Sequence, residues 1–114
     1  MTAVVDVTWT SVCELNALQS EAGVAVLLPD ASQVAVFRTF EGSLHAVANV
    51  DPFSGAAVLS RGIVGDRGGV AVVVSPIYKQ AFDLKTGVCL DDPAVSIAVY
   101  PVRVLDDIVQ VGSP

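Results

Sequence analysis

The residues able to do chemistry in this chain are few and widely spaced. There is one histidine, His45, and there are two cysteines, Cys13 and Cys89. A zinc site takes three or four nitrogen or sulfur ligands, so this set falls short of one. His45 lies in Leu44-His45-Ala46-Val47, a strand-like run whose side chains alternate between core and solvent. It reads as a structural histidine, because no serine or cysteine nucleophile signature pairs with it. Cys13 and Cys89 show no CxxC spacing and read as buried structural thiols. A disulfide between them stays open, since sequence spacing does not give a Cα separation. Asp51, Asp66 and Asp83 fall in or beside turns, where an Asp side chain bonds nearby backbone N–H groups, and none forms an evident acid–base pair. There is no GxGxxG, P-loop, HExxH or GxSxG motif. The Gly-rich stretches Gly62 to Gly65 and Gly65 to Gly69 open no helix and read as turns rather than phosphate cradles.

What must position these residues is sheet. The chain has 114 residues, the length of one domain over 1–114. Hydrophobic residues make up 53% and charged residues 16%, which excludes disorder. Val dominates, and β-branched side chains suit a pleated surface. No uncharged apolar run approaches the roughly 20 residues of a spanning helix, and Met1 to Thr10 carries Asp6 without a basic flank. The expectation is a cytoplasmic protein that meets no membrane. A net charge of −6 argues against nucleic acid, which needs a clustered basic surface.

Short apolar segments alternate with turn chemistry in the manner of a sandwich or barrel. Thr2 to Thr10 reads as a first strand. Ser11-Val12-Cys13-Glu14 has capping-box form and predicts a short helical turn. Gln33 to Phe40 and Ser43 to Asn49 read as a hairpin about Glu41-Gly42. Val70 to Val74, apolar throughout, reads as a strand covered on both faces. Ile97 to Leu105 and Ile108 to Val111 read as a closing hairpin about Asp106-Asp107.

Two segments add a different signal: Asn49-Val50-Asp51-Pro52-Phe53-Ser54-Gly55-Ala56-Ala57-Val58-Leu59, and Ser75-Pro76-Ile77-Tyr78-Lys79-Gln80-Ala81-Phe82-Asp83-Leu84-Lys85-Thr86-Gly87. Together they resemble the ligand loops of Rieske-type ferredoxin domains, N-x-C-P-H-x-G-A-x-L and C-P-x-H-G-W-x-F-D-L-x-T-G. The frame residues Pro52, Gly55, Ala56, Pro76, Phe82-Asp83-Leu84 and Thr86-Gly87 match. The four ligand positions hold Asp51, Phe53, Ser75 and Tyr78 instead, and Lys79-Gln80 stands where the pattern has Gly-Trp. A Rieske centre takes two Cys thiolates on one iron and two His nitrogens on the other, which these residues do not supply.

A ligand-free domain of this size resembles the small subunits of assimilatory NAD(P)H-dependent nitrite reductases. The likeness also runs through Trp9, Leu59-Ser60-Arg61-Gly62-Ile63-Val64-Gly65 and Tyr100-Pro101-Val102-Arg103-Val104. It implies an all-β, Rieske-type antiparallel sandwich or barrel with a degenerate cluster-binding subdomain. It further implies no catalytic, cofactor-binding or metal residue in this chain. Its partner would be a large subunit carrying FAD, a [4Fe–4S] cluster and sirohaem, which reduces nitrite to ammonia with electrons from NAD(P)H.

On that reading Asp51, Phe53, Ser75 and Tyr78 mark a partner contact, with Arg61, Arg67 and Lys79 as charges at its rim. The competing reading is that Phe53 and Tyr78 fill the volume the cluster has left. Two further classes stand beside these: a stand-alone protein-binding module, and an electron-transfer domain with another metal.

Overall fold

A strand built from Val34-Ala35-Val36-Phe37 has no polar side to show to water, so both of its faces must be covered. The computed structural model describes residues 7–113, and in it all four of these side chains are buried. They form the middle of β3 (Gln33–Arg38). This strand pairs antiparallel with β2 (Gly23–Leu27) on one side and β4 (Leu44–Ala48) on the other. The short β8 (Val99–Tyr100) extends the sheet to the order β2-β3-β4-β8.

Alternation then sends the two sides of the β3–β4 hairpin into two different cores. Val34, Val36 and Ala46 pack with Leu18, Leu28, Val109 and Val111. The last two belong to a second sheet of β1 (Thr8–Glu14), β10 (Ile108–Ser113) and β9 (Val102–Leu105). Ala35, Phe37 and Val47 pack with Val64, Val73 and Phe82. These come from β5 (Ile63–Arg67), β6 (Val70–Val74) and β7 (Ala81–Asp83), which form the third sheet. The hairpin is thus the middle of three layers. Helix among the described residues is limited to 3₁₀ turns at Leu15–Ala17 and Leu59–Arg61.

Several elements differ from what the sequence pattern predicts. Residues 1–6 of the expected first strand lie outside the described residues. The expected short helical turn follows Ser11 to Glu14 as the 3₁₀ turn Leu15–Ala17, but these four residues do not cap it: they continue β1, paired to β10 with a bulge between Ser11 and Cys13. Glu14 precedes the 3₁₀ turn without a side-chain cap. The Ser-x-x-Glu form loses here because β10 offers a continuous ladder, and Val12 and Cys13 gain burial against the core by staying extended. In β6 the successive residues Val72 and Val73, which point to opposite faces, are both buried, so the strand is covered on both faces at its centre, whereas β3 is covered on both faces along most of its length.

The expected arm from Ile97 to Leu105 is cut at Pro101. Before it, β8 pairs with β4; after it, β9 pairs with β10. Proline cannot donate to a ladder, and this is where the chain changes sheet. The turn Asp106-Asp107 has both residues at positive φ (51° and 64°), the backbone of a type I′ hairpin. On the outer face of this sheet, Arg103 stacks over Trp9 at 4.0 Å. Its Nε donates to Gln110 at 2.8 Å.

The two thiols fall in different cores, on opposite faces of the hairpin. Cys89 is buried against Phe82 and Leu84, Cys13 is half-buried against the other cluster, and both are free. Burial pushes the Cys13 thiol pKa up.

Gly87 closes the turn after β7 at φ +80°, and a Cβ there would overlap the Ile97 carbonyl oxygen. Gly42, at φ +91° in the β3–β4 turn, faces open space. Gly87→Ala is therefore expected to destabilise by about 2–4 kcal/mol, against about 1 kcal/mol for Gly42→Ala, read from urea denaturation midpoints. Equal losses would mean that the turn at Gly87 yields without strain.

Candidate functional site

The loops after β4 and β6 meet at one end of the molecule. Asn49 sets the first of them. It is buried, its backbone N–H donates to Gln33 O, and its Oδ1 accepts the Ser60 N–H at 2.8 Å. That fixes the chain direction just before Asp51. The loop then closes on itself, with Asp51 N–H to Ala56 O at 2.8 Å and Gly55 N–H to Asp51 O at 2.7 Å. The second loop closes likewise, through Ser75 N–H to Gln80 O at 2.9 Å and Lys79 N–H to Ser75 O at 3.1 Å.

Asp51 and Ser75 then join the two loops. Both residues are fully buried, and the Ser75 hydroxyl donates to Asp51 Oδ2 at 2.5 Å. Asp51 Oδ1 accepts the Phe53 N–H at 2.8 Å, and Ser75 Oγ accepts the Ile77 N–H at 3.3 Å. One short chain of bonds thus runs Ile77–Ser75–Asp51–Phe53. Phe53 turns inward and packs on the buried Phe82, with ring centroids 6.2 Å apart and planes inclined by 46°. Tyr78 stays 59% exposed, and its neighbour Ile77 and, in the first loop, Val50 are also exposed.

The sequence-derived site residues therefore divide. The structure brings Asp51, Phe53 and Ser75 together and leaves Tyr78 at the surface of the same tip. Lys79 is in this loop too, its Nζ donating to Pro76 O at 3.0 Å. Arg61 ends the 3₁₀ turn whose first residue, Leu59, donates to Asn49 O. Arg67 lies at the turn end of the β5–β6 hairpin and pairs with Asp91 at 3.1 Å. The Ala81 N–H, and after it Arg67, holds the Asp91 carboxyl below its usual pKa. Asn49 and Phe82 carry the site without having been singled out. Their signal was only their place in the frame, as the first residue of one loop and the apolar residue after the other.

Comparison with known proteins fits this geometry. Residues 8–112 match the model of the Rieske-like [2Fe-2S] domain family. The chain is 40% identical over 103 residues to the nitrite reductase (NADH) small subunit of Escherichia coli K12, covering 90% of this chain and 94% of that one. The chain is a Rieske-like domain of the nitrite reductase small-subunit family. It is also similar to a crystal structure from Mycobacterium tuberculosis assigned as an NADH-dependent nitrite reductase small subunit. That match has 59% identity, a TM-score of 0.94, and coverage of 96% of this chain and 98% of the other. A nitrite reductase NAD(P)H large subunit of Klebsiella oxytoca contains a like segment, 39% identical over 92% of this chain and 11% of that protein.

The residues present do not fit the family's [2Fe–2S] group. Asp51 and Ser75 stand where the two thiolates would bind one iron, and here they bond each other at 2.5 Å. Phe53 and Tyr78 stand where the two imidazoles would bind the other; the first has no donor atom and the second is largely in water. Among the described residues, no three His, Cys, Asp or Glu side chains gather closely enough to hold a metal ion.

His45 lies elsewhere, near the start of β4 and opposite Phe37. Burial lowers its pKa, with the charge of Asp83 opposing.

Removing the loop tie leaves buried polar groups unpaired. Asp51→Ala is expected to cost about 2–4 kcal/mol, and a double-mutant cycle with Ser75→Ala about 1–2 kcal/mol of coupling. Additive losses in chemical denaturation would mean that the bond contributes nothing. For His45 the folded pKa lies below the unfolded one, so between that folded value and about 6.5 the unfolded chain binds more protons. Stability is therefore expected to fall as pH drops through that window, and His45→Gln to flatten the slope. An imidazole NMR titration at or above about 6.5 would overturn this.

Proposed function

We propose that this chain acts in the cytoplasm as the accessory subunit of an NAD(P)H-dependent nitrite reductase. It carries no cluster of its own and contacts the large subunit through the tip formed by its two degenerate loops. The observation that carries this reading is the Asp51–Ser75 bond, which ties the loops together where a cluster would tie them. A Rieske frame kept without its metal keeps a shape rather than a redox potential. Around that tie, Val50, Ile77 and Tyr78 are 40%, 44% and 59% exposed. An apolar cluster with one aromatic polar tip is the composition of an interface core. Lys79, and Arg61 beside the first loop, supply positive charge at its margin.

The Klebsiella large subunit supports the pairing, because it holds a segment like this one within its own chain. Fusion raises the effective concentration of one module at another, and separate subunits replace it by affinity. The large subunit would hold FAD, a [4Fe–4S] cluster and sirohaem and turn nitrite into ammonia; no catalytic step is assigned to the residues of this chain.

The test is co-purification with the large subunit and a nitrite-reduction assay with and without this chain. Ile77→Ala with Tyr78→Ala is expected to weaken association by about tenfold or more while the melting temperature stays near wild type. Phe53→Ala is expected to do the reverse, costing about 2–4 kcal/mol of stability through its lost packing on Phe82. Full association by the Ile77/Tyr78 variant would remove the tip from the interface.

A further inference from the structure

The core between the β3–β4 hairpin and the third sheet is closed at the tip by Phe53 and Phe82 and open at the other end. Its mouth is a cleft of about 480 Å³. On one side it is lined by Glu21, Phe40, Glu41 and His45, and on the other by Asp66 and Ala71 among others. His45 is near the start of β4 and Ala71 near the start of β6, whereas the degenerate loops follow the ends of these strands. The cleft and the tip are therefore different surfaces, separated by a strand length of about 15 Å.

Two features set this cleft apart. Its wall holds three carboxylates and no lysine or arginine. Among the described residues the one ion pair is Arg67–Asp91, so Glu21, Glu41 and Asp66 have no cationic partner there. Asp66 Oδ2 accepts only the Gly69 N–H of its own turn, at 3.3 Å. Arg38, which follows Phe37 on β3, is committed elsewhere: its Nη1 donates to the carbonyls of Leu18 at 3.2 Å and Leu15 at 3.4 Å. The second feature is Phe40, which is 82% exposed at the lip, in a hairpin turn where polar residues are the rule. An aromatic face in water beside unpaired carboxylates matches a cation with an apolar or planar body.

We infer that this cleft receives an arginine-bearing segment of the nitrite reductase large subunit, making it a second contact distinct from the tip. The carboxylates are too dispersed for a metal ion, since no three of the described His, Cys, Asp or Glu side chains converge. A guanidinium has five donors in a planar fork, so it can reach separated acceptors and stack on Phe40 at once. The chain's net charge of −6 draws such a partner toward it, and a cleft lined by one sign of charge focuses that attraction.

The inference rests on the subunit reading above, and one experiment separates the two. Association of the intact chain with purified large subunit is measured by calorimetry at low and high salt. The wild-type chain is compared with Glu21→Gln/Glu41→Gln and with Phe40→Ala. Each variant is expected to bind about tenfold more weakly, with an unchanged melting temperature and, for the double variant, a shallower salt dependence. Wild-type binding with both variants within about twofold overturns the cleft contact alone. Weaker binding that comes with a lower melting temperature also overturns it, since the side chains would then serve the fold. No binding by the wild-type chain overturns the subunit reading and this contact with it.

Discussion

Burial of the β3–β4 hairpin on both of its faces is the constraint from which the other layers follow. Val34, Val36 and Ala46 look one way and Ala35, Phe37 and Val47 the other, and all six are essentially inaccessible. Burial of each larger side chain among them, Val34, Val36, Phe37 and Val47, contributes about 1.5–3 kcal/mol relative to exposure, as an upper figure, so neither face can be left bare. One face requires β1, β9 and β10; the other requires β5, β6 and β7. The loops that emerge from β4 and β6 are then brought to one end because both strands belong to layers packed on the same core.

On the proposed reading, this is how such a domain can do without a metal centre and still keep its two loops in place. In a Rieske centre two thiolates and two imidazoles cross-link the loops through the cluster. Here one buried hydrogen bond, Asp51 to Ser75, makes the link between the loops, and the Phe53–Phe82 contact anchors the first loop on β7. A single such bond is worth only about 1–3 kcal/mol net, far less than a bound metal. It suffices because each loop is already closed by its own backbone bonds and by Asn49. The tie therefore sets the register of two preformed loops rather than folding them.

Much of this was legible in the sequence, for physical reasons that can be named. The β3–β4 hairpin was readable because an apolar run, a Gly turn and a second apolar run leave few alternatives. The Rieske frame was readable because its proline and glycine positions set a backbone shape that is harder to replace than a side chain. Ser11 to Glu14 announced the short turn at Leu15–Ala17 but not its cap, because a capping box is a local preference and a tertiary partner strand outweighed it. The switch at Pro101 was marked by the proline itself, yet which sheets it joins depends on contacts distant in sequence. The acidic cleft was not legible at all: Glu21, the β3–β4 hairpin with Glu41 and His45, and Asp66 are three separate segments, and only the packing of one layer on another collects them.

The tip and the cleft lie at opposite ends of β4 and β6, and this bears on how one partner could use both. Between them runs β5, an edge strand whose first residue, Ile63, is 70% exposed. Edge strands are a liability that proteins usually blunt with charge, or else cover. Here charge appears only at the turn end, in Asp66 and Arg67. A standard interface of about 800 Å² per partner is some 30 Å across, which exceeds the strand length of about 15 Å that separates the two surfaces. A single partner face can therefore meet the exposed tip, cover Ile63 along the edge and reach the cleft. In such an arrangement the apolar tip would contribute most to affinity, while the cleft, being charged, would fix orientation and speed the encounter.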